Sequence, residues 1–176
     1  MAVPQSALVV LAPAAEAAVG KFREAHDPSA TEGMPAHITL LYPFKPPGEI
    51  DAAVLDRLRQ CFAAFAPFHY SLAVTRRFPD VLYLAPEPDH PFRRLTLAVW
   101  QLFPETPPYG GRHANVVPHL TLAQLADGHR LDEVAAEFER ASRQALPIRA
   151  MASEVALMDN SRGRWQVNYT FRLCRE

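Results

Sequence analysis

HITLLYPF, His37–Phe44, reads as a strand with two polar residues where a core strand has none. A buried strand takes Val, Ile and Leu, and side chains two apart share a face. His37 and Thr39 therefore lie on one side, Ile38 and Leu40 on the other. HLTLAQL, His119–Leu125, repeats the pattern 82 positions later, with His119 and Thr121 set against Leu120 and Leu122. The chain has seven His and seven Thr among 176 residues. Two copies of His-apolar-Thr-apolar then arise by chance on the order of a few times in a thousand chains. Each strand offers a greasy side to a core and a His/Thr side to something polar.

Outward from these two strands, the chain alternates. SALVVLAP predicts a first strand ending at Pro13, and PAAEAAVGKFREAHD a helix with Pro13 in its first turn. DPSATEGMP is a loop by composition. The first histidine strand, 36–44, stops at KPPG, and an amphipathic helix over 50–65 puts Ile50, Val54, Leu58, Cys61, Phe62 and Phe65 on one side. FHYSLAVTRRF and VLYLAPE predict two strands joined at Pro79-Asp80. Asp89 and Pro91 predict the start of a helix through HPFRRLTLAVWQLF. PETPPYGGRHAN is a loop before the second histidine strand, 116–125. LDEVAAEFERASRQA predicts a helix with Leu131, Val134 and Phe138 inward, and IRAMASEVALMDN and RWQVNYTFRL a closing hairpin around Ser161–Gly163. The expected architecture is α+β with mostly antiparallel sheet. Residues 1–176 form one bilobal domain of two similar, pseudo-two-fold related lobes, each bringing one motif to a central cleft.

Composition narrows the function classes. Apolar residues at 49% and charged residues at 21% describe an ordinary globular chain. Cys61 and Cys174 are too few for a disulfide framework, so a reducing, cytoplasmic setting is the default expectation. The first residues carry no basic leader, and no apolar run approaches the length of a membrane span. A net charge of −1 with no basic block argues against long duplex nucleic acid, which is held through many phosphate contacts. A monomer is expected.

Two histidines and two hydroxyls fit three chemistries unequally. Zinc needs a third protein ligand, and neither motif contains Asp, Glu or Cys. For nucleophilic catalysis, Thr39 and Thr121 sit beside their histidines on a flat strand, a poor angle for a triad. General acid–base catalysis fits better, because imidazole titrates near neutrality and one ring can accept a proton while the other donates one. Cleaving a phosphodiester or opening a cyclic phosphate needs such a pair, with hydroxyls and N–H groups to hold the non-bridging oxygens. No cofactor and no metal are expected.

The two motifs, together with ALVVLAP, RRFPDVLYLAPE and RGRWQVNYTFRL, resemble the two-histidine (2H) phosphoesterase superfamily, and within it the 2′-5′ RNA ligases or RNA 2′,3′-cyclic phosphodiesterases. The resemblance spans nearly the whole chain, but only the histidine motifs are specific. It implies a bilobal α+β fold and metal-independent action on nucleotide or RNA-end 2′,3′-cyclic phosphates or 2′-5′ linkages, with 2′-5′ RNA ligation as the reverse reaction. It gives His37 and His119 the catalytic roles, His37 donating and His119 accepting the proton in hydrolysis, and gives Thr39 and Thr121 the phosphate. A nucleotide-binding module of the same fold without turnover is the alternative. Many RNA-processing relatives carry a basic residue shortly after the second motif, where this chain has Gln124; Arg76, Arg77 and Arg112 are candidate replacements. Phe78 stands where the family often has an aromatic near the groove. Tyr42 and Phe44 are candidate stacking rings, although alternation turns Tyr42 away from His37 unless the strand bends near Pro43. The histidines at 26, 69, 90, 113 and 129 receive no role.

Overall fold

The computed structural model describes residues 3–112 and 115–174. In chain order the elements are β1 (Ser6–Leu11), α1 (Glu16–His26), α2 (Pro28–Thr31), β2 (His37–Leu41), α3 (Ala52–Ala63), β3 (Phe68–Arg77), β4 (Val81–Glu87), α4 (His90–Leu102), β5 (Leu120–Gln124), α5 (Gly128–Ala141), β6 (Ile148–Ala152), β7 (Glu154–Asp159) and β8 (Gln166–Arg172). They build two four-stranded antiparallel sheets, ordered β2-β1-β7-β8 and β5-β4-β3-β6. Each histidine strand forms the outer edge of its own sheet, and the two edges pack against each other.

The sheet orders superimpose as a pseudo-repeat: β1 matches β4, β2 matches β5, and β3 matches β7. The chain runs β-α-β-α-β twice: the first run gives its third strand, β3, to the sheet of β4 and β5, while the second keeps β6 there and then sends β7 and β8 to the sheet of β1 and β2. Helices cross over as well: α1 packs against β5 and α4 against β2. Phe22 of α1 meets Phe138 of α5 edge-on, with centroids 5.2 Å apart. The closing segment predicted as one strand is two. β6 pairs with β3, β7 pairs with β1 and β8, and the chain passes between sheets at Ser153. The expected turn at Ser161–Gly163 is present, with Gly163 at φ 85°, where a side chain would be strained.

The larger apolar cluster runs through both sheets, from Leu8, Val10, Ile38 and Leu40 to Leu72, Leu84, Leu120 and Leu122. A smaller one, comprising Ala7, Val9, Met34, Ala156, Met158 and Trp165 with Leu11 and Tyr42 against it, covers the opposite face of the first sheet. Helix starts follow local chemistry. The Asp51 carboxylate accepts from the Val54 N–H, and that of Asp127 from the His129 and Arg130 N–H groups. Asp89 precedes α4 as expected, but its carboxylate takes the Arg93 guanidinium instead of a backbone N–H. The 27–35 stretch, a loop by composition, holds the short helix α2, with Asp27 accepting from the Ser29 N–H. No helix among the described residues is long and apolar enough to cross a membrane.

Candidate active site at the edge-strand groove

Alternation holds at both motifs. Ile38, Leu40, Leu120 and Leu122 are fully buried, while His37, Thr39, His119 and Thr121 are half-buried on the other face. The two histidines are held alike. Nδ1 of His37 lies 2.7 Å from the Pro35 carbonyl oxygen, and Nδ1 of His119 lies 2.7 Å from that of Val117. A carbonyl only accepts, so Nδ1 carries the hydrogen in both rings and Nε2 is the nitrogen left to exchange a proton. The charge of His119 is felt weakly at His37.

Burial disfavours the imidazolium in both. The His37 pKa is lowered to about 4, chiefly by desolvation, with the Pro35 carbonyl opposing; Arg23 and His119 lower it further and Asp27 raises it. Desolvation also lowers His119, and the Val117 carbonyl opposes it. Arg23 and Asp27 form a buried ion pair of 2.9 Å behind the segment that delivers His37, and the Arg23 guanidinium also reaches the Ser29 hydroxyl.

A β-bulge follows each threonine. Val9 pairs with Thr39 but Leu8 with Leu41, so Leu40 is the extra residue; Tyr83 pairs with Thr121 but Leu82 with Ala123, so Leu122 is the extra one. Each bulge resets the alternation. Tyr42 and Gln124, odd-numbered steps from the threonines, return to the His/Thr face. This corrects the expectation that Tyr42 turns away from His37, and the bend lies at Leu40 rather than at Pro43. Tyr42 donates its hydroxyl to Gln5 Oε1 and meets Trp165 edge-on at 6.1 Å. Gln124 is exposed on that face, across from Val81.

Phe44 does not join the site. It is 5% exposed in the main core, edge-on to Phe103 at 5.2 Å. The strand has ended by then, and a ring there fills the space above α4. Phe78 lies against His119 at 5.3 Å between centroids and stacks on Tyr83 at 4.5 Å; Tyr83 itself meets His119 at 5.4 Å. Arg76, Tyr83 and Thr121 form one cross-strand row on a single face. Arg76 is exposed and has no hydrogen-bond or ion-pair partner among the described residues. Arg77 points to the other face, where Asp132 and the Gly128 carbonyl hold it. Arg112 is exposed at the end of the Pro108–Gly111 turn. Sequence reasoning missed Tyr83 and Tyr109; the Tyr109 N–H donates to the Tyr42 carbonyl at 2.6 Å, and burial pushes its phenol up to about 12, with the Thr39 side chain opposing. Strand alternation in VLYLAPE could have flagged Tyr83, whereas nothing in PPYGG singles out Tyr109. His113 lies outside the described residues.

Solved structures share this fold. E. coli LigT complexed with 3′-AMP superimposes with a TM-score of 0.64 at 16% identity, over 98% of this chain and 99% of that one. TT0787 of Thermus thermophilus gives 0.61 at 19% identity, over 98% and 99%. No curated protein matches the sequence significantly. The family model described as the 2′-5′ RNA ligase superfamily matches residues 11–164, a span that includes both histidine motifs. The sequence match over most of its length places this chain in the 2′-5′ RNA ligase superfamily, among the two-histidine phosphoesterases.

Proposed function

We propose that the protein is a metal-independent phosphodiesterase that opens 2′,3′-cyclic phosphates of nucleotides or RNA ends, with His37 and His119 as acid and base. The observation that carries this reading is the matched pair of imidazoles, each locked by a carbonyl at Nδ1, on two packed strand edges. Water attacks phosphorus; Nε2 of His119 takes its proton as the P–O bond forms. The endocyclic P–O bond breaks, and Nε2 of His37 protonates the departing ribose oxygen. Thr39 and Thr121 hold the non-bridging oxygens, whose charge grows in the transition state. With an RNA 5′-hydroxyl in place of water and the P–O3′ bond breaking, the same steps form a 2′-5′ linkage, and run backwards they cleave it.

Burial biases both rings towards neutrality, His37 strongly. A phosphate anion reverses that bias, since an opposite charge within about 4–6 Å favours the charged form. The substrate therefore supplies the field that protonates His37. Arg76 stands over Tyr83 in the row that ends at Thr121, where it takes the place of the basic residue that Gln124 lacks. Phe78, backed by Tyr83, offers the base a stacking face. E. coli LigT has been crystallised with 3′-AMP, with ATP and with phosphate, which supports nucleotide phosphates as ligands.

The test is hydrolysis of adenosine 2′,3′-cyclic phosphate by the purified protein, with and without a chelator. We expect turnover that EDTA leaves unchanged. His37→Gln and His119→Gln should each lower kcat by roughly 10²- to 10⁴-fold, the range of a lost general acid or base. Arg76→Ala should raise KM for an RNA end more than for the mononucleotide. Full activity in either histidine variant overturns the pairing. An inert wild-type protein that still binds AMP is the nucleotide-binding module.

A further inference from the structure

The two histidines are held alike at Nδ1, but the peptide groups that hold them differ. The carbonyl facing His37 belongs to the Pro35–Ala36 peptide, and the N–H of that same peptide donates to Glu16 Oε1 at 2.5 Å. One peptide group is therefore bonded at both ends, to a carboxylate on one side and to the imidazole on the other. The next peptide is pinned as well, since the Ala12 N–H donates to the Ala36 carbonyl at 2.8 Å. In the second motif the carbonyl belongs to the Val117–Pro118 peptide, and proline has no N–H. No carboxylate can act on His119 by that route.

Ala36 and Pro118, each the residue before its histidine, are both buried. A buried N–H needs a partner, and any neutral acceptor would satisfy the one at Ala36. The charge is what adds chemistry. Glu16 opens α1, where the helix dipole favours an anion. Its carboxylate shifts electron density through the peptide towards the carbonyl oxygen, because hydrogen bonds in series polarise one another. A more negative carbonyl holds Nδ1–H more tightly and makes Nε2 more basic, as a carboxylate does when it meets an imidazole directly. Burial works against the charged ring, and the Pro35 carbonyl is the leading group that opposes it. The other charged and titratable groups acting on His37 are Arg23 and Asp27 at the end of α1 and His119 on β5.

We propose that Glu16 is a positioning residue that acts through the Pro35–Ala36 peptide to stabilise the protonated His37 ring, which sets two otherwise matched histidines apart as acid and base. The proposal rests on the acid role given to His37 above. Its test is Glu16→Gln, which keeps an oxygen on the Ala36 N–H and removes the charge. On adenosine 2′,3′-cyclic phosphate, E16Q should move the His37 limb of the kcat profile to lower pH by about half a unit. Above that limb kcat should fall about threefold, the same half unit expressed as a rate, with KM unchanged. A residue that only props the backbone would lower the urea midpoint and leave the limb in place, so an unmoved limb overturns the proposal. Ala36→Pro copies the second motif, removing the N–H while keeping the carboxylate, and should reproduce the shift. A shift in E16Q but not in A36P means that the charge acts through space, and overturns the peptide route. Should the wild type prove inert on cyclic phosphates, ¹⁵N titration of the two rings decides. A lower His37 midpoint in E16Q with His119 unmoved upholds Glu16 while the phosphodiesterase reading falls, and equal His37 midpoints defeat Glu16 as well.

Discussion

His37 and His119 are held in place by the backbone two residues before them, so the chemistry of each ring is set locally. Their pKa values fall below the ordinary histidine value for the same reason, desolvation, and this fixes the sign of the pH dependence. Both limbs of the kcat/KM profile report the free enzyme, so the bell should peak below pH 6.5, and a maximum above pH 7 would contradict the assignment. Stability follows the same sign. Folded His37 resists protonation down to about pH 4, whereas the unfolded chain takes up its proton near 6.5. Its contribution to stability is present above 6.5 and is lost as pH falls towards 4. His37→Gln, which cannot titrate, should therefore lose less stability than wild type over that window, as read from urea midpoints. The histidines and threonines were legible because a polar pair on an apolar strand is anomalous by itself. Tyr109 was not legible, because a tyrosine in a Pro/Gly-rich turn shows nothing unusual until the fold carries that turn across to the other lobe's strand.

At the level of elements, the bulges decide what each motif presents. Strict alternation counts Tyr42 and Gln124 on the core side, and one extra residue after each threonine reverses the count. Sequence does not announce a bulge of two leucines, since Leu40 and Leu41 suit a regular strand equally well. Phe44 shows the opposite error: an aromatic close to a motif in sequence is taken into the core once the strand ends at Leu41. The segment ahead of β2 is pinned by Arg23 and Asp27, whose side chains are 3% and 2% exposed, which marks the pair as fully desolvated. Removing one partner leaves a buried charge alone, and Asp27→Ala should cost about 3–5 kcal/mol. Because α2 and Pro35 hang from that pair, the variant should also loosen the carbonyl that orients His37. Equilibrium denaturation checks the first outcome, and the ¹⁵N shifts of the His37 ring check the second. A loss of stability under 1 kcal/mol would mean that the ion pair is dispensable.

Over the whole molecule, the sequence reading captured two sheets, flanking helices, a motif on each and the two hairpins, but not which of the remaining strands share a sheet. Short-range pattern carries no information about partner choice beyond a hairpin. The β3–β4 and β7–β8 hairpins were legible from their turns, whereas the pairing of β3 with β6 was not, nor was the division of the 148–159 segment between sheets at Ser153, where no turn residue marks the crossing. With one apolar cluster running through both sheets, the lobes share their stability. Thermal or urea unfolding followed by Trp165 fluorescence and by far-ultraviolet circular dichroism should give coincident transitions; separated midpoints would show independent lobes. The exchange of strands between the two halves of the chain has one more result. A nick in the exposed Pro79–Asp80 turn divides the chain into two fragments, each holding one histidine motif and each lacking strands that only the other supplies. Neither fragment completes a sheet by itself, so they should reassemble only as a complementing pair, and a protein split at that turn would be a natural reporter for bringing two fused partners together.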